Sequence, residues 1–171
     1  MPVTLATTLP LGSDLQQLGS AGSGGTKPLG IHRQVIKEAV ATRTLLAKES
    51  GALCCYDRAA GVVYTLPAPA VGMQFEFIVT TAVTSNAHKV ITDAGTTFLV
   101  GGVIMGDVTV ASSGDYFEAD GTTIVALSAA GTTTGGLLGE RYKVTCINST
   151  QWAIEGVTHG AGTLATPFAT S

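Results

Sequence analysis

The sequence predicts an all-β protein, an antiparallel β-sandwich or barrel-like domain with an extended N-terminal arm. Short β-favouring segments recur with turn signals about every eight to twelve residues, which is typical of such folds. Charged residues make up only 12% of the 171 residues, about half of the usual share of about 25%. Thr (25 residues) and Gly (22) take their place. A surface this neutral favours a protein that packs against copies of itself or a larger partner.

Residues 1–40 are predicted to be the arm, and residues 41–171 a β-rich domain with a short C-terminal tail. Pro2, Pro10 and Pro28 surround Gly19–Gly25, which has the composition of a flexible Gly/Ser tether. Five leucines precede this tether without a strand partner nearby: Leu5, Leu9, Leu11, Leu15 and Leu18. An apolar arm on a tether is expected to dock on another surface.

The central module of the domain is a strand, a proline turn and a second strand. Val62–Leu66 and Met73–Thr80 flank Pro67–Gly72, and proline ends a strand because it lacks an N–H donor. Phe75 and Phe77 alternate with polar residues and so share one face of the second strand. The module holds no reactive side chain.

The other predicted strands are short and regularly spaced. One strand is predicted to start at about Gln34. The others are Ala52–Tyr56, His88–Thr92, Thr96–Gly101, Asp107–Ala111, Tyr116–Ala119 and Thr122–Leu127. A hairpin, Glu140–Ile147 and Gln151–Val157, closes the domain around Asn148–Thr150. The tail, Thr158–Ser171, is expected to pack on a neighbour or stay loose.

The histidines and cysteines form no catalytic or metal-binding pattern. His32, His88 and His159 are predicted to lie at the surface, because none has carboxylates or thiols at ligand spacing. The three cysteines, Cys54, Cys55 and Cys146, lack metal-ligand spacing. They are expected to be buried, reduced thiols, as in a protein assembled in a reducing cytoplasm.

Two weaker interpretations remain open. Asp115, Glu118 and Asp120 form the one acidic cluster, but their spacing lacks the ligand density of a calcium loop. Trp152 with Phe75 and Phe77 suits either a sugar platform or a core, and alternate aromatic positions in strands favour the core. The sequence therefore predicts no catalytic residue, metal or cofactor, and no enzyme.

Charge and hydropathy also limit the partners. Residues 1–60 carry six basic and four acidic groups (+2), and residues 61–171 carry three and eight (−5), which sum to the net charge of −3. No basic cluster suits nucleic acid. No run approaches 18 apolar residues, so no membrane span is expected, and no secretory signal is recognised.

The motifs resemble those of head decoration, or capsid cement, proteins of tailed bacteriophages. The resemblance rests on Tyr64-Thr-Leu-Pro-Ala-Pro-Ala-Val-Gly72, Phe75-Glu-Phe-Ile-Val79 and Thr84-Ser-Asn-Ala-His-Lys-Val-Ile-Thr-Asp93. A closing hairpin with Trp152 in its second strand is similar too. The resemblance covers about residues 42–158 and omits residues 1–40.

The resemblance implies a virion structural protein on the outer surface of the head. It would bridge neighbouring major capsid subunits and form oligomers of its own copies, a trimer or else a dimer. The candidate capsid contacts are Leu5, Leu9, Leu11, Leu15, Leu18 and Arg33. The alternative is a tail- or fibre-associated β-module that binds host glycans; a hydrolase has the least support, since no nucleophile, base and acid can be assembled.

Overall fold

In the computed structural model, the described residues are 33–37 and 40–171, and they are almost entirely β. Gln34–Ser171 form one compact unit, and the described part contains twelve strands and no α-helix, with one 3-10 turn at Ala47–Glu49. The predicted all-β class is confirmed. Most of the predicted arm, including all five leucines of residues 5–18, lies outside the described residues.

The strands form two sheets, one of seven strands and one of five. In spatial order, the larger contains β1 (Val35–Lys37), β3 (Leu53–Tyr56), β5 (Gln74–Val79), β10 (Arg141–Cys146), β11 (Gln151–Gly160), β7 (Phe98–Asp107) and β8 (Gly114–Asp120). The smaller contains β12 (Phe168–Ala169), β9 (Ala126–Ala129), β6 (His88–Ile91), β4 (Val63–Thr65) and β2 (Thr42–Thr44).

The prediction of an antiparallel arrangement is wrong, because both sheets are mixed. Strands β1 to β7 alternate between the two sheets along the chain. When the chain runs one way in the first sheet and the opposite way in the second, its next strand in the first sheet runs in the original direction again. Parallel pairs such as β1–β3, β3–β5, β2–β4 and β4–β6 follow from this path. The short turns had suggested hairpins, which are antiparallel.

The proline turn makes one of these crossings. β4 belongs to the smaller sheet and β5 to the larger, so Pro67–Gly72 carries the chain between sheets. At its end the Gly72 N–H donates to the Cys146 carbonyl at 2.9 Å, which fixes the turn beside β10. Gly72 has φ of 90°, a conformation that favours glycine.

Two predicted strand boundaries in the middle of the chain are wrong. Gly101 and Gly102 lie inside β7, which runs unbroken to Asp107, so Asp107–Ala111 is mainly the turn to β8. Gly101 is needed because β11 approaches closely: a Cβ there would lie 2.5 Å from the Ile154 carbonyl oxygen.

The predicted strand Thr122–Leu127 starts too early. The Asp120 carboxylate accepts hydrogen bonds from the N–H groups of Thr122 and Thr123, each at 2.8 Å, and from Ile124 at 3.2 Å. These bonds fold residues 121–124 into a turn, and β9 begins only at Ala126.

The core draws on both sheets. Tyr64 from the smaller sheet lies 5.3 Å from Tyr56 and 5.7 Å from Phe77, both in the larger sheet, between ring centroids. Phe75, Phe77 and Trp152 are fully buried, so the prediction that these aromatics form core is confirmed. The three cysteines are buried and free, as expected.

The C-terminal tail belongs to the fold, which corrects the expectation that it stays loose or packs on a neighbour. Phe168 is buried in the chain's own core, and β12 pairs with β9 through Phe168 opposite Leu127. The isolated late aromatic in a polar tail was the signal of this final strand.

Candidate interaction face

The most prominent candidate site is one face of the seven-stranded sheet, which we call the outer face. Along β11, Trp152, Ile154 and Thr158 are buried, whereas Glu155 and Val157 are exposed. Strand alternation therefore turns one side of the sheet toward the core, and among residues 33–37 and 40–171 no element covers the other side. On this outer face, residues that pair across β10, β11, β7 and β8 lie side by side and form rows that run across the strands.

Three large apolar side chains lie next to one another across the outer face. Val157 in β11 pairs with Ile104 in β7, and Ile104 pairs with Tyr116 in β8. Their exposed fractions are 50%, 58% and 62%. Single exposed apolar residues are normal, but three adjacent ones form a patch of the kind found at interaction sites. We call these three residues the apolar row; Arg141 in β10 continues it beyond Val157.

Charged residues form the neighbouring row. Lys143 in β10, Glu155 in β11, Gly102 in β7 and Glu118 in β8 are paired in that order. The Lys143 ammonium lies 4.0 Å from the Glu155 carboxylate. One strand further, the Arg141 guanidinium donates to the Glu76 carboxylate. The basic residues Arg141 and Lys143 thus lie on β10. Glu118 lies on β8 at the edge of the sheet, and its register partner is Gly102 and not a basic residue.

Glycine shapes the middle of the charged row. A Cβ at Gly102 would lie 2.5 Å from the Tyr116 hydroxyl oxygen and 2.3 Å from the Phe117 carbonyl oxygen. The Tyr116 side chain therefore leans over Gly102 and covers the space that another residue type would fill. Beside it, Glu76, Arg141, Lys143, Glu155 and Val157 line a shallow depression of about 430 Å³.

Of the six predicted capsid-contact residues, the structure describes one, Arg33. Leu5, Leu9, Leu11, Leu15 and Leu18 lie outside the described residues. Arg33 is the first described residue and is exposed, two residues before β1 at one edge of the larger sheet. The sequence reasoning missed the apolar row, because the three residues lie on three strands and meet only through their register.

His88 is buried, which corrects the prediction of a surface histidine. Its Nε2 lies 2.9 Å from the Thr81 carbonyl oxygen, so it is the protonated nitrogen, and its ring lies 4.6 Å from that of Tyr56. Its Nδ1 is buried and has no hydrogen-bond partner among the residues that the structure describes. Burial lowers the pKa of the imidazole. The side chain is enclosed in the core and has no access to a substrate.

The tyrosine cluster beside His88 is structural as well. The Tyr56 and Tyr142 hydroxyls lie 2.5 Å apart and join β3 to β10, and the Tyr64 hydroxyl donates to the Cys55 carbonyl at 2.9 Å. Burial raises the pKa of Tyr56 and of Tyr142 well above the ordinary value. Both hydroxyls therefore stay neutral and act as hydrogen-bonding groups.

Glu140 is a buried carboxylate that the sequence did not single out. It accepts hydrogen bonds from the N–H groups of Gly136 at 2.8 Å, Leu137 at 2.9 Å and His159 at 3.1 Å. Burial raises its pKa, while these bonds act in the opposite direction. Oε1 accepts all three bonds and Oε2 shares the Gly136 N–H, so the side chain organises the turn before β10.

The acidic cluster does not come together as a metal site. Within the described residues, no group of three or more His, Cys, Asp or Glu side chains is placed to hold a metal ion. Asp120 caps its turn instead, and the Thr123 hydroxyl, at 2.5 Å, is the main cause of the lowered pKa of that carboxyl. The aromatics considered for a sugar platform, Trp152, Phe75 and Phe77, are all buried.

Comparison of the chain with known protein families, with curated proteins and with solved structures finds no significant match. Over residues 33–37 and 40–171, no helix has the length and apolar character to cross a membrane.

Proposed function

We propose that the protein is a virion structural protein that binds the outer surface of a phage capsid and stabilises it by bridging neighbouring major capsid subunits. The observation that carries this proposal is the low share of charged residues, 12% of the chain, which suits a surface that is covered by protein. A β-domain with 12% charged residues and an exposed Val157–Ile104–Tyr116 row is suited to be covered by protein. Sequence motifs of the decoration-protein type support the same conclusion.

The proposal includes an architecture. We infer that the two mixed sheets are the layers of a β-sandwich, since the aromatic core contains side chains from both. We also infer that the residues before Gln34, where the compact unit begins, act as an arm whose leucines, with Arg33, contact the capsid. Binding would then add buried area between subunits and raise the free energy needed to open the shell.

The described site chemistry favours binding over the alternatives. Glu140 and the Tyr56–Tyr142 pair are hydrogen-bonded inside the fold and are enclosed. Glycan binding by a tail or fibre module has less support, because Tyr116 is the one exposed aromatic side chain among the described residues.

The experiment uses capsids of the phage that encodes this chain, prepared without it. The purified full chain should co-sediment with them to saturation, and a chain lacking residues 1–30 should bind more weakly while keeping its β-type circular dichroism. A matched full-length control is Val71→Lys, which changes an exposed turn residue (74% exposed) away from the outer face. Undiminished attachment of the shortened chain would rule out the arm, and no attachment of the full chain would rule out the proposed function.

A further inference from the structure

We propose that a second copy of this chain covers the apolar row, so that the free protein is a face-to-face dimer with a two-fold axis. The inference concerns the purified chain and stands apart from capsid binding. It rests on the order of four neighbouring strands, β10, β11, β7 and β8, and on the residues that their registers align.

The geometry of this pairing is simple. A two-fold axis that runs parallel to the strands, above the gap between β11 and β7, exchanges the two sides of the four-strand group. β11 then faces β7 of the partner subunit, and β10 faces β8 of the partner subunit. Because the axis lies along the strands, position along each strand is preserved, and every row faces the same row of the other copy.

The apolar row becomes complementary to itself under this operation. Val157 faces Ile104 of the partner subunit, and Ile104 faces Val157 of the partner subunit, at the centre of the interface. Arg141 faces Tyr116 of the partner subunit, which suits a guanidinium stacked on an aromatic ring. The three most exposed apolar groups of the face are thus covered by apolar or stacking partners.

The charged row is complementary as well. Lys143 faces Glu118 of the partner subunit, so a basic group on β10 meets the unmatched acidic group on the β8 edge. Glu155 faces Gly102 of the partner subunit, where the glycine has no side chain of its own and the Tyr116 side chain of that copy leans across. Since the Tyr116 hydroxyl leans over Gly102 in each copy, that hydroxyl is placed to donate to the Glu155 carboxylate.

The next row along the strands holds only compact groups at its centre. Ala153 in β11 pairs with Val100 in β7, and these residues face each other across the axis. Small side chains here let the two sheets approach to about 10 Å, with their strands aligned along the two-fold axis. No row places two like charges against each other.

The size of the interface sets the expected strength. Four strands are about 19 Å wide and seven residues about 23 Å long, which gives about 440 Å² per copy. The total of about 880 Å² lies below the range of stable specific complexes and within that of weak, transient ones. We therefore expect a reversible dimer that dissociates on dilution.

The first test is sedimentation velocity of the full chain over a concentration series. Wild type should shift from monomer to dimer as its concentration rises. Ile104→Lys should weaken the association by about 10-fold or more, because it buries a charge against Val157 of the partner subunit. Val71→Lys, the matched control on an exposed turn, should leave the association unchanged, and circular dichroism verifies the fold of each variant.

A charge exchange tests the register itself. Lys143→Glu should weaken the dimer, because it sets a second carboxylate against Glu118 of the partner subunit. Combining it with Glu118→Lys should give tighter association than Lys143→Glu alone. The proposal is overturned by a wild type that stays monomeric, by an oligomer insensitive to Ile104→Lys, or by a double variant no tighter than the single one. Capsid attachment is measured separately, so either proposal can fail alone.

Discussion

At the residue scale, Glu140 is the clearest example of a charge that the fold requires. Glu140→Gln makes the acceptor of the Gly136, Leu137 and His159 N–H groups neutral, and it turns an NH₂ group toward the Gly136 N–H in place of Oε2. We expect a loss of about 2 to 4 kcal/mol in the free energy of unfolding. Urea denaturation measures it, with Asp115→Asn as the control at an exposed carboxylate. Equal stability of the two variants would contradict the structural role of Glu140.

His88 should make the fold sensitive to acid. Because burial lowers its folded-state pKa below the ordinary value of about 6.5, the unfolded chain takes up a proton first as the pH falls. The contribution of His88 is complete above about pH 6.5 and declines as the pH drops toward the folded-state pKa. Unfolding should therefore become easier as the pH falls below about 6.5 in wild type, and less so in His88→Gln. Parallel pH profiles for the two proteins would refute this.

Residue alternation predicted the core aromatics but missed both of these polar groups. Phe75, Phe77 and Trp152 follow a two-residue period that a sequence displays directly. The burial of His88 and Glu140 depends on partners at Thr81 and Gly136, which are contacts that no local pattern marks. A lone polar residue at the start of a strand resembles a surface residue until its tertiary partners are known.

At the scale of elements, the sequence located most strands but not their directions. Turn signals identified the closing hairpin correctly, since β10 and β11 pair antiparallel with Cys146 opposite Trp152. The same kind of signal at Pro67–Gly72 joins different sheets, because the composition of a turn does not determine which sheet the chain enters next. The sequence likewise predicts a strand end at Gly101, whereas this glycine lies inside β7 where β11 approaches closely.

Gly101 offers a test of that close approach. Gly101→Ala places a Cβ 2.5 Å from the Ile154 carbonyl oxygen at φ of 112°, so β7 and β11 must separate or twist. We expect a loss of at least about 2 kcal/mol in the free energy of unfolding. Gly95→Ala is the matched control, since nothing lies within 4 Å of its added Cβ. A Gly101→Ala protein as stable as the control would contradict the tight β7–β11 pairing.

At the scale of the whole molecule, the two proposals fit together. A dimer held through the outer faces would carry two copies of residues 1–40, and two linked binding segments attach to a lattice more tightly than one. The apolar row that holds such a dimer could not be read from the sequence, because Val157, Ile104 and Tyr116 become neighbours only in the folded sheet. The low charge of the chain indicated a covered surface without locating it.

The temperature at which capsids open measures most directly whether this protein stabilises them. Capsids that lack this chain are heated with and without saturating purified protein, and DNA release is followed by dye fluorescence. If the protein stabilises the capsid, the full chain should co-sediment at a fixed number of copies per capsid and raise the release temperature. The chain lacking residues 1–30 should raise it only slightly. An unchanged release temperature with the full chain bound, or no saturable binding, would contradict a capsid-stabilising role.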